Sequence, residues 1–91
     1  KSIDINIDSE INLNEISTRL VQLGYEREKM VEEPGQFSIR GGILDIYTLV
    51  YDNPVRIELF GDEVDSIRFF NVESQRSVEN IDDITITLSM K

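Results

Sequence analysis

The chain has 91 residues, with 18 acidic and nine basic side chains and a formal net charge of −9. That length suits a single domain spanning residues 1–91, and that charge disfavours binding to the phosphate backbone of a nucleic acid. Cysteine and histidine are both absent, which excludes disulfides and thiolate metal sites and removes the side chains most used in acid–base and thiol chemistry. We therefore expect a domain that is not an enzyme in isolation and that holds no cofactor or metal.

The first third of the chain predicts a strand followed by a helix. Residues 2–8 alternate isoleucine with polar side chains, which is the period of a half-buried strand. Asn12 stands where a helix N-cap is expected, and Glu15 follows three residues later, as in a capping box. Gly24 is placed to end the helix in the left-handed conformation. The helix has one apolar face, so it is expected to pack on a sheet.

The remaining two thirds predict strands separated by turn signals. Pro34–Gly35 predicts a hairpin turn between the first two of these strands. Residues 73–80 are rich in turn formers and predict a connection without regular structure. The predicted strands are residues 25–32, 36–40, 43–47, 55–60, 63–70 and 81–88. The expected fold class is α+β, with one amphipathic helix packed on a mainly antiparallel twisted β-sheet.

Alternation along two of these strands places polar residues on the sheet face away from the helix. That face is expected to carry Arg40, Arg56, Glu58 and Phe60, and the predicted hairpin would bring Arg40 beside Lys29 and close to Arg27. Arginine and aromatic side chains are enriched where proteins dock on each other. The alternative is an ordinary solvated face with cross-strand ion pairs, each worth little.

An acidic run, GDEVD at residues 61–65, has two interpretations. Clustered carboxylates can hold a divalent cation, but neither the calcium-loop pattern nor a phosphate-binding glycine loop accompanies the run. We therefore interpret these residues as an acidic, solvated turn.

Two long segments resemble a known family. Residues 30–47 read MVEEPGQFSIRGGILDIY, residues 54–68 read PVRIELFGDEVDSIR, and SQRS follows at 74–77. Together they resemble the bacterial transcription-repair coupling factors. The excision-repair helicase UvrB has a related module, with a similar Tyr-Glu-Arg start and Phe-Gly-Asp-Glu turn. The PGQF and SQRS segments favour the coupling factors over UvrB.

The resemblance implies a binding module within a large bacterial, cytoplasmic, ATP-dependent DNA translocase. In that family the module recruits UvrA to lesions where RNA polymerase has stalled, and its fold is similar to domain 2 of UvrB. ATP, RNA polymerase and DNA are bound by other parts of the parent protein. Two alternatives stay open: an autoinhibitory module that packs on another domain of its own parent chain, and the equivalent domain of UvrB itself.

The resemblance also implies candidate contact residues. UvrA-contacting positions of the related UvrB module correspond to Arg27, Arg40, Arg56 and Glu58. We expect the three arginines to meet carboxylates on UvrA, and Glu58 to meet a basic residue and to orient Arg56. Phe60 is expected either to add an apolar contact or, more in keeping with its size, to join the core. UvrB carries a further arginine where this chain has Ser38, so one expected contact is missing.

Overall fold

The computed structural model describes residues 1–89 and contains one helix and eight strands within that range. The elements are β1 (Ile3–Asn6), α1 (Leu13–Gln22), β2 (Glu26–Arg27), β3 (Gln36–Arg40), β4 (Ile43–Tyr47), β5 (Val55–Phe60), β6 (Glu63–Phe70), β7 (Ser77–Ile81) and β8 (Asp83–Ile86). The α+β class with a mainly antiparallel sheet is confirmed. No helix among these residues is long and apolar enough to span a bilayer.

Strands β2 to β7 form one six-stranded sheet in the order of the sequence. Only β2 and β3 are parallel; every other neighbouring pair is antiparallel. Two-residue turns connect β3 to β4 and β5 to β6, and each begins with a glycine at positive φ, Gly41 at 59° and Gly61 at 62°. Type II′ turns need that conformation, and their twist matches that of the flanking strands. Both turns therefore lie at the same end of the sheet.

Helix α1 begins and ends as its sequence predicts. Asn12 Oδ1 accepts a hydrogen bond from the backbone N–H of Glu15 at 3.0 Å. At the other end Gly24 has φ of 96°, and the N–H groups of Gly24 and Tyr25 donate to the carbonyls of Val21 and Leu20. These two bonds form a Schellman motif, which satisfies carbonyls that the helix end leaves free.

The hydrophobic core lies between one face of the six-stranded sheet and a layer made of α1 and a two-stranded sheet. In that small sheet β1 pairs antiparallel with β8, with Ile3 opposite Ile86 and Ile5 opposite Ile84. All four isoleucines are buried, as are Ile16 and Leu20 of the helix. The large sheet contributes the following fully buried side chains: Phe37, Leu44, Ile46, Val55, Ile57, Val64 and Ile67.

Three sequence predictions of strands are wrong. The predicted strand 25–32 is reduced to the two residues of β2, and β2 runs parallel to β3, so residues 34–35 do not close a hairpin. Residues 77–80, expected to lack regular structure, belong with Ile81 to β7 at the edge of the sheet. The predicted strand 81–88 is only β8, which leaves the large sheet and pairs with β1 instead.

Candidate partner-binding surface

The face of the large sheet that is turned away from α1, here called the second face, carries a row of polar residues across four strands. The strand register aligns Ser38 with Asp45, Asp45 with Arg56, and Arg56 with Arg68. Aligned residues share a face because side chains alternate along every strand. The row contains two arginines that face each other, and each of them is neutralised by its own carboxylate.

Arg56 is held in place on all sides. Its Nε and Nη2 donate to the two carboxylate oxygens of Asp45 at 2.8 and 2.9 Å, and Nη2 also donates to Gln75 Oε1 at 3.0 Å. The guanidinium carbon lies 4.1 Å from the ring centroid of Phe70. The side chains of Arg56 and Asp45 are 12% and 2% exposed. The hydrogen bond to Asp45 raises the pKa of Arg56 despite its burial, so the guanidinium stays charged.

Arg68 forms the second, more open pair. Its Nη2 donates to Glu58 Oε2 at 2.6 Å, and its Nη1 donates to the hydroxyl of Ser66. The side chains of Arg68 and Glu58 are 21% and 36% exposed. The hydrogen bond from Arg68 lowers the pKa of Glu58. The expectation that Glu58 orients Arg56 is therefore wrong at the level of hydrogen bonding, because Glu58 bonds Arg68 and Asp45 takes that role.

Three exposed cations and one acid surround a shallow depression at the β2 edge of the sheet. Its lining is Arg27, Glu28, Lys29, Ile39 and Arg40, and its volume is about 560 Å³. The sequence predicted Arg40 beside Lys29 and close to Arg27, and these three residues do share the depression, although β2 and β3 are parallel. The register aligns Arg27 with Phe37, a core residue, which separates Arg27 from the row on the second face.

Phe60 is the most exposed large apolar side chain of the described residues, at 82% of its surface. The expectation that Phe60 joins the core is wrong. A register shift between Glu58 and Leu59 precedes it, and Phe60 pairs with Glu63 directly before the Gly61–Asp62 turn. Leu59 packs against the core, so alternation along β5 places Phe60 on the second face, away from the core. Phe60 therefore stands at the turn end of the sheet, the end that also carries Arg40.

The family model described as the UvrB interaction domain matches residues 3–89. The chain belongs to the UvrB interaction domain family.

Curated relatives of this UvrB interaction domain are bacterial transcription-repair-coupling factors. The protein of that name from Bacillus subtilis strain 168 is 56% identical over 82 residues, which is 90% of this chain. Those of Staphylococcus epidermidis and Staphylococcus haemolyticus are 54% and 52% identical over 92% and 93% of the chain. The resemblance to coupling factors is confirmed. In each case the chain spans only 7% of the relative's length.

Within this UvrB interaction domain, the five predicted contact residues do not form one continuous patch. Arg40 and Phe60 are exposed at the turn end, and Glu58 is aligned with Arg40 through Ile43 of the strand between them. Two strand spacings amount to about 10 Å, so one partner can touch both. Arg56 lies two residues before Glu58 on the same strand, further from the turn end, and its guanidinium is already bonded within the domain. Arg27 lies at the β2 edge of the sheet.

Sequence reasoning missed the buried part of the second face of the domain. Asp45 is buried, and Met30, Val31 and Gln75 line a small space over it and Arg56; Ser38 beside it is buried as well. The sequence did indicate a bonded partner for Asp45, since an aspartate between Leu44 and Ile46 is rare in a strand unless its carboxylate is paired with another side chain. Ser38, where UvrB was expected to carry an arginine, is 1% exposed in this chain.

Proposed function

We propose that this domain binds UvrA within a transcription-repair coupling factor and recruits UvrA to lesions where RNA polymerase has stalled. The domain itself acts by binding, and any ATP-driven translocation on DNA belongs to other parts of the parent protein. Family membership and the identity of the relatives support this proposal. Its site is the surface from the depression at Arg27 and Arg40 to the turn end at Phe60, which we call the arginine surface. The expected similarity to domain 2 of UvrB is part of the same proposal.

One observation carries the proposal. The chain has only nine cations against 18 acids, yet three of the nine line one shallow depression on its surface. A cluster of exposed cations on an otherwise acidic domain creates a local positive potential, which attracts an anionic surface. The partner is therefore a protein surface rich in carboxylates, and the proposed recipient of Arg27 and Arg40 is such a surface on UvrA.

The residues of the arginine surface have different roles in this proposal. Arg27 and Arg40, which have no salt bridge within residues 1–89, meet carboxylates of UvrA directly. Phe60 supplies the apolar anchor that such interfaces place near their cations. Glu58 has one carboxylate oxygen bonded to Arg68 and offers the other to a basic residue of the partner. Arg56 supports this surface from beneath, because its guanidinium is already bonded to Asp45 and Gln75.

Calorimetric titration of the chain with UvrA of Bacillus subtilis tests the proposal. We expect micromolar or tighter binding that weakens when salt rises from about 50 to about 300 mM, because the contacts involve exposed charges. Arg40→Glu should weaken binding at least about tenfold, since reversal replaces an attraction by a repulsion within the interface. Phe60→Ala should weaken it less, by about threefold to tenfold.

Arg19→Glu is the matched control for Arg40→Glu. Arg19 is an exposed arginine on α1, on the other side of the molecule, and its side chain donates to the carbonyl of Ser2. The same change of two charge units there should leave the affinity for UvrA nearly unchanged. Equal losses for the two variants, with both folded by circular dichroism, would contradict the arginine surface while leaving UvrA binding itself intact.

A further inference from the structure

A second shallow depression lies at the end of the sheet opposite the arginine surface, where the β4–β5 loop meets the end of β6. Its volume is about 180 Å³. Sites that hold small organic ligands are larger, at roughly 300–1,000 Å³, so this space suits a single side chain. We call it the loop-end depression, and its lining residues are Tyr51, Asp52, Asn53, Phe69, Val78 and Glu79.

Two aromatic rings form one wall of the loop-end depression. Tyr51 packs on Phe69 with ring centroids 5.0 Å apart and an angle of 53° between the ring planes. The loop that carries Tyr51 is held in place, because the Tyr47 hydroxyl donates to the backbone carbonyl of Asp52 at 2.9 Å. Tyr51 nevertheless stays 38% exposed, so its ring is accessible to a partner.

A β-bulge in β7 brings an apolar and an acidic side chain to the same depression. The register passes from Phe69 opposite Glu79 to Phe70 opposite Ser77, which leaves Val78 without a partner residue on β6. Bulges of this kind change the direction of a side chain. Val78 and Glu79 therefore both border the loop-end depression although they are consecutive in the strand.

Two carboxylates beside these apolar walls have no cationic partner in the domain. Asp52 and Glu79 take part in no salt bridge among residues 1–89, and neither does Arg76, the cation closest to Glu79 in the sequence. No cation of the described residues lines the depression. Its local potential is therefore negative, and it attracts a cationic group.

The surroundings of Arg56 show which cation suits such a combination of groups. Its guanidinium lies 4.1 Å from the ring centroid of Phe70 and is bonded to the carboxylate of Asp45. The loop-end depression offers the same two kinds of group, aromatic rings and carboxylates. A guanidinium can stack on a ring while its N–H groups bond carboxylates, whereas the compact, strongly hydrated ammonium of lysine is less suited to both at once.

We propose that the loop-end depression binds an arginine side chain of a partner protein, and that apolar residues flank this arginine. The two carboxylates pair with the guanidinium, and the rings of Tyr51 and Phe69 contact its planar face and its aliphatic stem. Leu49 and Val50 precede Tyr51 and are 46% and 67% exposed, so they supply an apolar rim for the flanking residues. The site is separate from the arginine surface and has the opposite charge, so it does not depend on the proposed binding of UvrA.

Titration of the chain with the blocked peptide GLRLG at about 150 mM salt, followed by backbone NMR, tests the proposal. We expect shifts centred on residues 50–53 and 78–79. A matched peptide with citrulline in place of arginine keeps the shape and loses the charge, and should bind at least about tenfold more weakly. GLKLG should bind about threefold more weakly, because an ammonium group does not stack. Equal binding of GLRLG and either matched peptide, or shifts centred elsewhere, would overturn the proposal.

Removal of the two charges makes the test specific to the loop-end depression. The double variant Asp52→Asn with Glu79→Gln should weaken binding of GLRLG at least about tenfold, because the side-chain shapes stay and the attraction is lost. Glu63→Gln with Asp65→Asn is the matched control, since it removes the same net charge from two exposed residues near the other end of β6. Equal losses in the two double variants would contradict the proposal.

Sedimentation of the chain alone distinguishes a partner protein from a second copy. The proposal expects a monomer. Self-association that Asp52→Asn with Glu79→Gln abolishes would overturn it, because an exposed arginine of a second copy, such as Arg40, would then fill the depression.

Discussion

Arg56 and Arg68 stand directly opposite each other on neighbouring strands, and each is bonded to one carboxylate, but their surroundings differ. Arg56 makes two hydrogen bonds to Asp45, one to Gln75 and a stacking contact with Phe70. It lies beneath segments that reach over the second face from the β2–β3 and β6–β7 connections. Arg68 makes one bond to Glu58 in a setting open to water. The same residue type on the same face is thus a structural support in one case and a surface group in the other.

The difference follows from desolvation and from geometry. A carboxylate that is 2% exposed has lost nearly all of its water, so it depends on the guanidinium for hydrogen bonds. Glu58, at 36% exposed, keeps water as an alternative partner. We therefore expect the two pairs to respond differently to every change made in both of them.

Removal of the acid from each pair should give the largest contrast. Asp45→Ala leaves Arg56 charged, buried and unpaired, and should lower the free energy of unfolding by about 3–5 kcal/mol. Glu58→Ala should lower it by less than about 1 kcal/mol, because water replaces the lost partner. Urea denaturation followed by circular dichroism measures both values. Similar losses in the two variants would show that the two pairs are equivalent after all.

Replacement of each arginine by lysine should give a smaller contrast. Arg56→Lys keeps the charge but cannot make the paired bonds to Asp45 or reach Gln75 at the same time, and should cost about 1–2 kcal/mol of unfolding free energy. Arg68→Lys loses little, within about 0.5 kcal/mol, since its single bond to Glu58 can be made by an ammonium group. The same denaturation assay checks the order. A larger loss for Arg68→Lys would reverse the assignment of the two roles.

Acid titration of the open pair should give the smallest effect. Because Arg68 lowers the pKa of Glu58 below its ordinary value of 4.5, the folded chain binds this proton less readily than the unfolded chain. The stabilisation from the Glu58–Arg68 pair is therefore fully present above about pH 4.5 and is lost as the pH falls through the folded-state pKa of Glu58. The difference in unfolding free energy between the parent and Glu58→Gln should be constant at neutral pH and should shrink below about pH 4.5. Arg68→Met removes the partner of Glu58, so its unfolding free energy should lack the same pH-dependent contribution. A difference between the parent and Glu58→Gln that stays constant down to about pH 3 would contradict the pairing.

The sequence predicted well those elements whose signals are local. The bounds of β3, β4, β5 and β6 follow from alternation and from the two-residue glycine turns at 41–42 and 61–62, and they agree with the structure residue for residue. The ends of α1 were readable because Asn12 and Gly24 act within one turn of the helix. Strand β7 was missed because it lies at an exposed edge, where no buried face imposes alternation on residues 77–80.

The candidate site was harder to predict because its burial depends on distant segments. Alternation placed Arg56 on the second face correctly, but an open face was assumed there. Residues 30–31 and Gln75 cover Asp45 and Arg56, and no local pattern reveals that they fold over the sheet. Phe60 was misjudged for the opposite reason, since alternation along β5 places it on the second face at the turn end, where it is 82% exposed. Its direct contact with UvrA stays a prediction, as do those of Arg27, Arg40 and Glu58.

The pairing of β1 with β8 has a consequence for the order in which the chain acquires its structure. Every hairpin from β3 to β6 joins strands that are neighbours in sequence, whereas Ile3 must find Ile86 across nearly the whole chain. Closing so long a loop costs more chain entropy and offers its contacts only after the loop has closed. We therefore expect the meander to assemble early and the β1–β8 ribbon to form last, covering with its isoleucines a core already shaped by the large sheet.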